Sequence, residues 1–342
     1  MALQYRLAQL SLSRLRDALH QVIVGQDQVI EQVLIALLAD GHVLLEGVPG
    51  VGKTLLVRTL AQGLALKYSR IQFTPDLMPA DILGTVVLAR DEAGNPLLRF
   101  QPGPIFAQIV LADEINRATP KTQAALLEAM QERRVTAGGE TRWLERPFFV
   151  LATQNPLEME GTYPLPEAQL DRFLFKIIVP PPNVEELREI VLRTTGASQP
   201  EIGPVMAAHE LLQLQTVVRQ VLLARPLLEA ALKLVAATSP ASPDASERVR
   251  RFVRYGASPR GAQALVLGAK ARAFLHQRAH VTPEDLEAVA LPALRHRLLL
   301  HLEAEAEGVT SDDLLVELLP SVMAAVRHGE KREKERSPEE NA

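Results

Sequence analysis

The stretch GVPGVGKT (47–54) carries the first chemical signal, matching G-x-x-x-x-G-K-[ST] in full. Glycines at this spacing let backbone N–H groups turn inward around an anion, and the lysine adds a charge. Gly47, Val48, Pro49, Gly50, Val51 and Gly52 form that loop. Lys53 is placed for the β- and γ-phosphates of a nucleotide, and the Thr54 hydroxyl for Mg²⁺. Sixty residues on, QIVLADE (108–114) is an apolar run ending in two carboxylates. At the carboxyl end of a parallel strand, Asp113 can hold Mg²⁺ through water, and Glu114 can polarise an attacking water as general base. LATQNP (151–156) ends a further apolar run and delivers Asn155, whose amide can donate to phosphate and accept from water. What such an NTP-hydrolysing site still needs is a cation for transition-state charge. Arg172 in EAQLDRF (167–173) and Arg260 in GASPRG (256–261) are the candidates; Ser258 caps and Pro259 opens the helix that Arg260 begins.

These residues need a frame to hold them. HVLLE (42–46), QIVLADE and PFFVLAT (147–153) read as buried strands, and KTLLVRTLAQGLAL (53–66) and PKTQAALLEAMQE (120–132) as helices between them. Alternation of this kind predicts βαβ units on a parallel sheet. Three prolines at 180–182 punctuate the chain, and beyond them NVEELREIVLRTTG (183–196) shows a cap at Asn183 and helical apolar spacing. Helical patterns continue without strand-like alternation. The expected organisation is an αβα nucleotide-binding core over 1–182, an all-helical lid over 183–327 and a disordered charged tail over 328–342.

Composition narrows the field. The chain has 342 residues, 37 Lys+Arg against 41 Asp+Glu, and no cysteine. Disulfides, thiolate metal sites and thiol catalysis are excluded. A net charge of −4 argues against coating nucleic acid as the main task. No apolar run approaches the roughly 18 residues of a membrane span. The expectation is a cytoplasmic protein without membrane insertion. The eight histidines show no metal-binding spacing and read as structural or exposed.

VGQ (24–26), GVPGVGKT, FTPDLMPADILG (73–84), LADEINRA (111–118), QNP, LPEAQLDRF and GASPRG, in that order over about residues 10–325, resemble the MoxR family of AAA+ ATPases. The resemblance implies a P-loop AAA+ fold with a helix-2 insert, placed at 86–103 around a DEAGNP turn, and a second hairpin ahead of the sensor 1 strand. It implies ATP and Mg²⁺ as cofactors. Walker A corresponds to Gly47 through Thr54, Walker B to Asp113 and Glu114, sensor 1 to Asn155 and sensor 2 to Arg260, reaching ATP in its own subunit. Val24 and Gly25 lie in the segment that lines the adenine pocket. Arg172 resembles the finger given to the next subunit's ATP, with Arg117 as the other candidate. A finger in trans implies a homo-oligomeric ring, usually a hexamer.

ATP hydrolysis driving chaperone-like remodelling, assembly or cofactor and metal insertion of client proteins is the leading expectation, with a von Willebrand factor A domain protein as a possible partner. A metal chelatase motor subunit, a nucleic-acid motor and a slowly hydrolysing nucleotide switch are the alternatives. RRVTAGGETRW (133–143) reads as a hairpin turning at Gly138-Gly139 and holding the lone tryptophan. Two readings stand for it. It is an output lever with Trp143 anchoring its base, or a hairpin that Trp143 packs onto its own domain.

Overall fold

The computed structural model describes residues 2–92, 94–156, 161–196 and 202–336. Helices α1 (Ala2–Val22) and α2 (Asp27–Leu38) precede strand β1 (Val43–Glu46), helix α3 (Lys53–Gly63) and strand β2 (Tyr68–Gln72). The short helix α4 (Pro79–Leu83) leads into an antiparallel hairpin of β3 (Gly84–Arg90) and β4 (Pro96–Pro102). Strand β5 (Ile109–Asp113), a 3₁₀ turn at Ile115–Arg117 and helix α5 (Pro120–Glu132) follow. A second hairpin, β6 (Arg134–Ala137) and β7 (Glu140–Trp143), comes before β8 (Phe149–Gln154), α6 (Glu167–Leu170) and β9 (Phe175–Ile178). Ala93, in the expected DEAGNP turn, lies outside the described residues.

The sheet has the order β2-β5-β8-β1-β9. β1, β8, β5 and β2 run parallel. Every residue of β5 is buried, as are five of the six in β8. This is why both read as unbroken apolar runs: helices cover the two faces of a parallel sheet. The edge strand β2 was not expected from the sequence. It buries Ile71 but exposes Arg70 and Gln72, so it lacks an apolar run. β9 is likewise too short to stand out.

The first compact unit comprises the chain up to Phe173 together with Ile177–Gln215. It therefore runs past the triple proline and takes in α7 (Val184–Thr195) and most of α8 (Ala208–Arg219). Hydrogen bonds explain the extension. Arg193 donates to the carbonyls of His20 and Gln21, the N–H groups of Val205 and Met206 donate to Gly63, and the Gln215 amide donates to Leu37. The Asn183 cap is present: its side chain accepts from Glu186 N–H, and Glu186 returns a bond to Asn183 N–H.

The second unit holds residues 174–176 and the chain from Thr216. Its elements are α9 (Arg225–Ala237), α10 (Glu247–Phe252), β10 (Val253–Tyr255), α11 (Pro259–Leu275), α12 (Pro283–Leu294), β11 (Leu299–Leu300), α13 (Leu302–Ala306) and α14 (Ser311–Arg336). It is helical but not all-helical, because β10 and β11 form a small antiparallel ladder. Elements of two and three residues are too short to show alternation. Asp285, fully buried, joins α11 to α12 by accepting from Arg272 and Arg278. Burial alone would raise its pKa, but these bonds and that from Thr282 hold it below the usual carboxylate value. The charged segment expected to be disordered is helical as far as Arg336, in keeping with the helix propensity of its Glu, Lys and Arg residues. Residues 337–342 of that tail lie outside the described residues.

The two hairpins of the first unit meet. A Cβ on Gly138, at φ +61°, would come within 2.4 Å of Val86, so this tip needs glycine for both conformation and space. The Arg142 guanidinium lies 3.9 Å from the centre of the Phe100 ring. Trp143, however, is 71% exposed, and its neighbour Leu144 is buried instead. It neither anchors the hairpin base nor packs it on the domain; Arg134 lies 5.7 Å from its ring.

His42 ties this framework together. Its Nδ1 accepts from Val150 N–H at 3.1 Å and its Nε2 donates to the Met130 carbonyl at 3.2 Å. Burial lowers its pKa from 6.5 to about 4, aided by nearby Arg133 and opposed by the Met130 bond and Asp40. Between those values the unfolded chain takes up a proton that the folded chain refuses. Stability should therefore fall as pH drops from 6.5 towards 4, by about 3 kcal/mol from this residue. Thermal unfolding across that range should show the fall, and His42→Gln should flatten it.

Candidate active site

The loop from Gly47 to Gly52 leaves β1 at half-buried Glu46 and enters α3. Gly50 and Gly52 have φ of +84° and +85°, with nothing within 4 Å of an added Cβ. Their requirement is conformational: left-handed backbone that turns N–H groups toward the loop's centre. Gly47 differs, since a Cβ there would meet the Val179 carbonyl at 2.7 Å. Lys53 Nζ donates to the carbonyls of Gly47 and Val48. Burial lowers its pKa, while Asp113, Glu114 and Glu46 push it back up.

β5 and β8 lie side by side, and their carboxyl ends face this loop's side of the sheet. A cleft of about 420 Å³ is lined by Pro49, Gly50, Gly52, Lys53, Thr54 and Leu55, by Arg70, by Asp113 and Glu114, and by Thr153 and Asn155. Residues separated by a hundred positions thus share one cavity within the size range of small-molecule sites. Asn155 is 4% exposed. Glu114 sits at φ +57°, a sparsely populated conformation for a non-glycine residue of the sort that clusters at functional sites.

The carboxylates are held closely. Asp113 Oδ1 accepts from the Thr153 hydroxyl at 2.6 Å, and that hydroxyl accepts from Glu114 N–H at 2.8 Å. Asp113 Oδ2 accepts from Arg70 Nη2 at 2.6 Å and Nε at 3.1 Å. Glu114 Oε2 accepts from Gln72 at 2.8 Å and pairs with Arg117 at 3.2 Å. Thr153, Arg70 and Gln72 were not among the residues expected from sequence. Thr153 lay inside LATQNP without any motif to mark its hydroxyl. The signal for the other two was the period-two pattern Arg70-Ile71-Gln72-Phe73, in which Ile71 and Phe73 are buried.

Other expected residues lie outside the cleft lining. Val24 and Gly25 precede Gln26, whose Nε2 donates to the Val51 carbonyl at 2.8 Å and so brings this segment to the loop. Gln26 Oε1 is buried without a hydrogen-bond partner. Arg172 donates to the Leu127 carbonyl at 2.8 Å, and its Nε is buried and unpartnered. Arg117 is paired with Glu114 of its own chain. Arg260 is exposed at the start of α11 in the second unit, where Ser258 accepts from its N–H at 3.1 Å.

An anion cradle, a lysine, a threonine hydroxyl and two carboxylates suit a polyphosphate with a divalent cation. Among the described residues no group of three or more His, Cys, Asp or Glu could hold a metal ion. A cation here would therefore complete its shell with phosphate oxygens and water, as Mg²⁺ does.

Residues 42–175 match the model of the ATPase family associated with various cellular activities (AAA), and 245–318 that of the AAA lid domain. The chain is 44% identical over 317 residues to YeaC of Bacillus subtilis (strain 168), covering 92% of this chain and 95% of that protein. It is 44% identical over 314 residues to Chaperone MoxR1 of Mycobacterium tuberculosis, covering 91% and 82%, and 37% identical over 310 residues to Protein MoxR of Paracoccus denitrificans, covering 84% and 89%. The chain belongs to the MoxR family of AAA+ ATPases. A crystal structure of a candidate ATPase from Cytophaga hutchinsonii superimposes with a TM-score of 0.87 at 40% identity, covering 93% of this chain and 96% of that one. The parallel sheet of this MoxR-family chain is thus an AAA+ core, and the family match extends to its lid.

Thr153 has the most exposed consequence for the site's order. Thr153→Val keeps the shape but strands a buried carboxylate oxygen and the Glu114 N–H, so it should cost about 1–3 kcal/mol. Thermal unfolding should show the loss, and Thr153→Ser should restore most of it.

Proposed function

We propose that this chain hydrolyses ATP with Mg²⁺ in a homo-oligomeric ring, and that hydrolysis drives chaperone-like remodelling, assembly or cofactor and metal insertion of client proteins. The observation that carries the hydrolytic part is the single cleft shared by Lys53, Thr54, Asp113, Glu114 and Asn155. The client part rests on family: one relative of 44% identity is named a chaperone.

Lys53 turns from the loop carbonyls to the β- and γ-phosphates, where the loop N–H groups and the start of α3 already favour an anion. Thr54 and Asp113 would hold Mg²⁺, whose charge would offset that of the phosphates. Glu114 takes a proton from the attacking water, and Asn155 aligns that water against the γ-phosphate. Val24 and Gly25 border the adenine, with the unpartnered Gln26 Oε1 beside them as an acceptor for an amino group. Arg260 senses nucleotide in its own subunit, and Arg172, with Arg117 as the alternative, stabilises charge on the neighbour's. A von Willebrand factor A domain protein is the partner the family suggests, and the cytoplasm is the compartment. Among the described residues no helix is long and apolar enough to cross a membrane.

The alternative of a nucleic-acid motor gains no support from the arginines of the second hairpin. Arg133 pairs with Asp40 at 2.8 Å, Arg134 with Glu132 at 3.3 Å and Arg142 with Glu140 at 2.5 Å. A hairpin whose cations are matched by its own surroundings is a poor track for a phosphate backbone.

Glu114→Gln should bind ATP like the wild type while hydrolysis falls by about 10²–10⁴, measured as nucleotide affinity and phosphate release. Used as an ATP-locked bait, it should retain specific proteins. Capture of its own subunits and nucleic acid alone would overturn the chaperone reading.

A further inference from the structure

One charged group in the cleft has no part in the chemistry above. Arg70 stands on the edge strand β2 and reaches across to β5, placing two N–H donors on one oxygen of Asp113. The Thr153 hydroxyl holds the other oxygen. A carboxylate has about four lone-pair positions, and three of Asp113's are taken by these donors. The side chain of Asp113 is 12% exposed and that of Arg70 48%. The carboxylate is thus sheltered, and the guanidinium has solvent to move into. Arg70 is also the cation whose charge a divalent metal at Asp113 would oppose most directly.

We propose that Arg70 is the built-in counter-ion of Asp113, a positioning residue that Mg²⁺ must displace, and that its grip sets the Mg²⁺ concentration at which nucleotide is taken up. The inference rests on the Mg²⁺–ATP reading of the cleft. When Arg70 lets go of Oδ2, its Nη2 still has the Gln72 Oε1 at 2.7 Å as a partner two residues along the same strand face. The displaced guanidinium therefore has a place to rest without unfolding β2. Release costs the protein a charge-assisted pair in which two N–H groups share one sheltered carboxylate oxygen. Mg²⁺ replaces that charge with a larger one.

The direction of the effect separates this role from a merely structural one. A strand tie whose loss loosens the site would make Mg²⁺-dependent binding weaker. A displaceable counter-ion makes it stronger when removed. Binding of a fluorescent, non-hydrolysable ATP analogue to the full-length chain, titrated with Mg²⁺, reads the difference. In Arg70→Gln the half-saturating Mg²⁺ concentration should fall about tenfold, the size expected for one charge-assisted bond pair. Arg70→Lys, which keeps the charge but not the fork, should fall by less and guards against a folding defect in the neutral variant. An unchanged or raised Mg²⁺ requirement in both Arg70 variants, with wild-type binding intact, would overturn the counter-ion role alone. Failure of the wild type to bind the analogue with Mg²⁺ would instead overturn the reading of the cleft on which it rests.

Discussion

The first unit is organised around a negative charge kept at the end of a strand that has no solvent on either face. β5 is buried along its whole length, so its terminal carboxylate has lost most of its water. A charge in that position is tolerated only when other groups replace the lost hydration. Asp113 finds a hydroxyl on β8 and a guanidinium on β2, the two strands that flank β5 in the sheet. The same demand fixes Glu114, whose N–H closes on the Thr153 hydroxyl. Burial lowers the Lys53 pKa, and these same two carboxylates, with Glu46, push it back up. Lys53, Glu114 and Arg70 are therefore arranged by one local electrostatic requirement rather than by separate devices.

Much of this is legible in the sequence. The P-loop, β1, β5 and β8 announced themselves because a parallel sheet covered on both faces leaves no polar alternation to confuse the pattern. Asp113, Glu114 and Asn155 followed from strand ends. β2 did not, because its outward positions carry Arg70 and Gln72, and with the strand went the two residues that grip the carboxylates. Thr153 was on view in sequence, but nothing about a threonine in an apolar run says that its hydroxyl serves two partners at once. Trp143 shows the opposite failure: a rule about residue type outran the local geometry, in which Leu144 takes the buried position.

The second unit teaches a similar lesson on a smaller scale. Helical spacing and the Ser258 cap located α11 and so Arg260. The ladder of β10 and β11 is too short for any periodicity. The ties that set the unit boundary at Gln215 are backbone carbonyl bonds, to which sequence pattern is blind.

The contact between the hairpins has a mechanical meaning. β3–β4 is carried by the segments joining β2 to β5, and β6–β7 by those joining α5 to β8. Gly138, at the tip of β6–β7, meets Val86, and Arg142 covers Phe100, so the second hairpin lies against the part of β3–β4 near its open end. Two arms joined in this way no longer swing independently; they make a bracket whose footings come before and after β5 in the chain. Such a bracket is indifferent to a shift shared by all its footings and tilts when they move by unequal amounts. Its geometry responds to shear within the sheet, between the strand that bears Asp113 and the neighbours on either side.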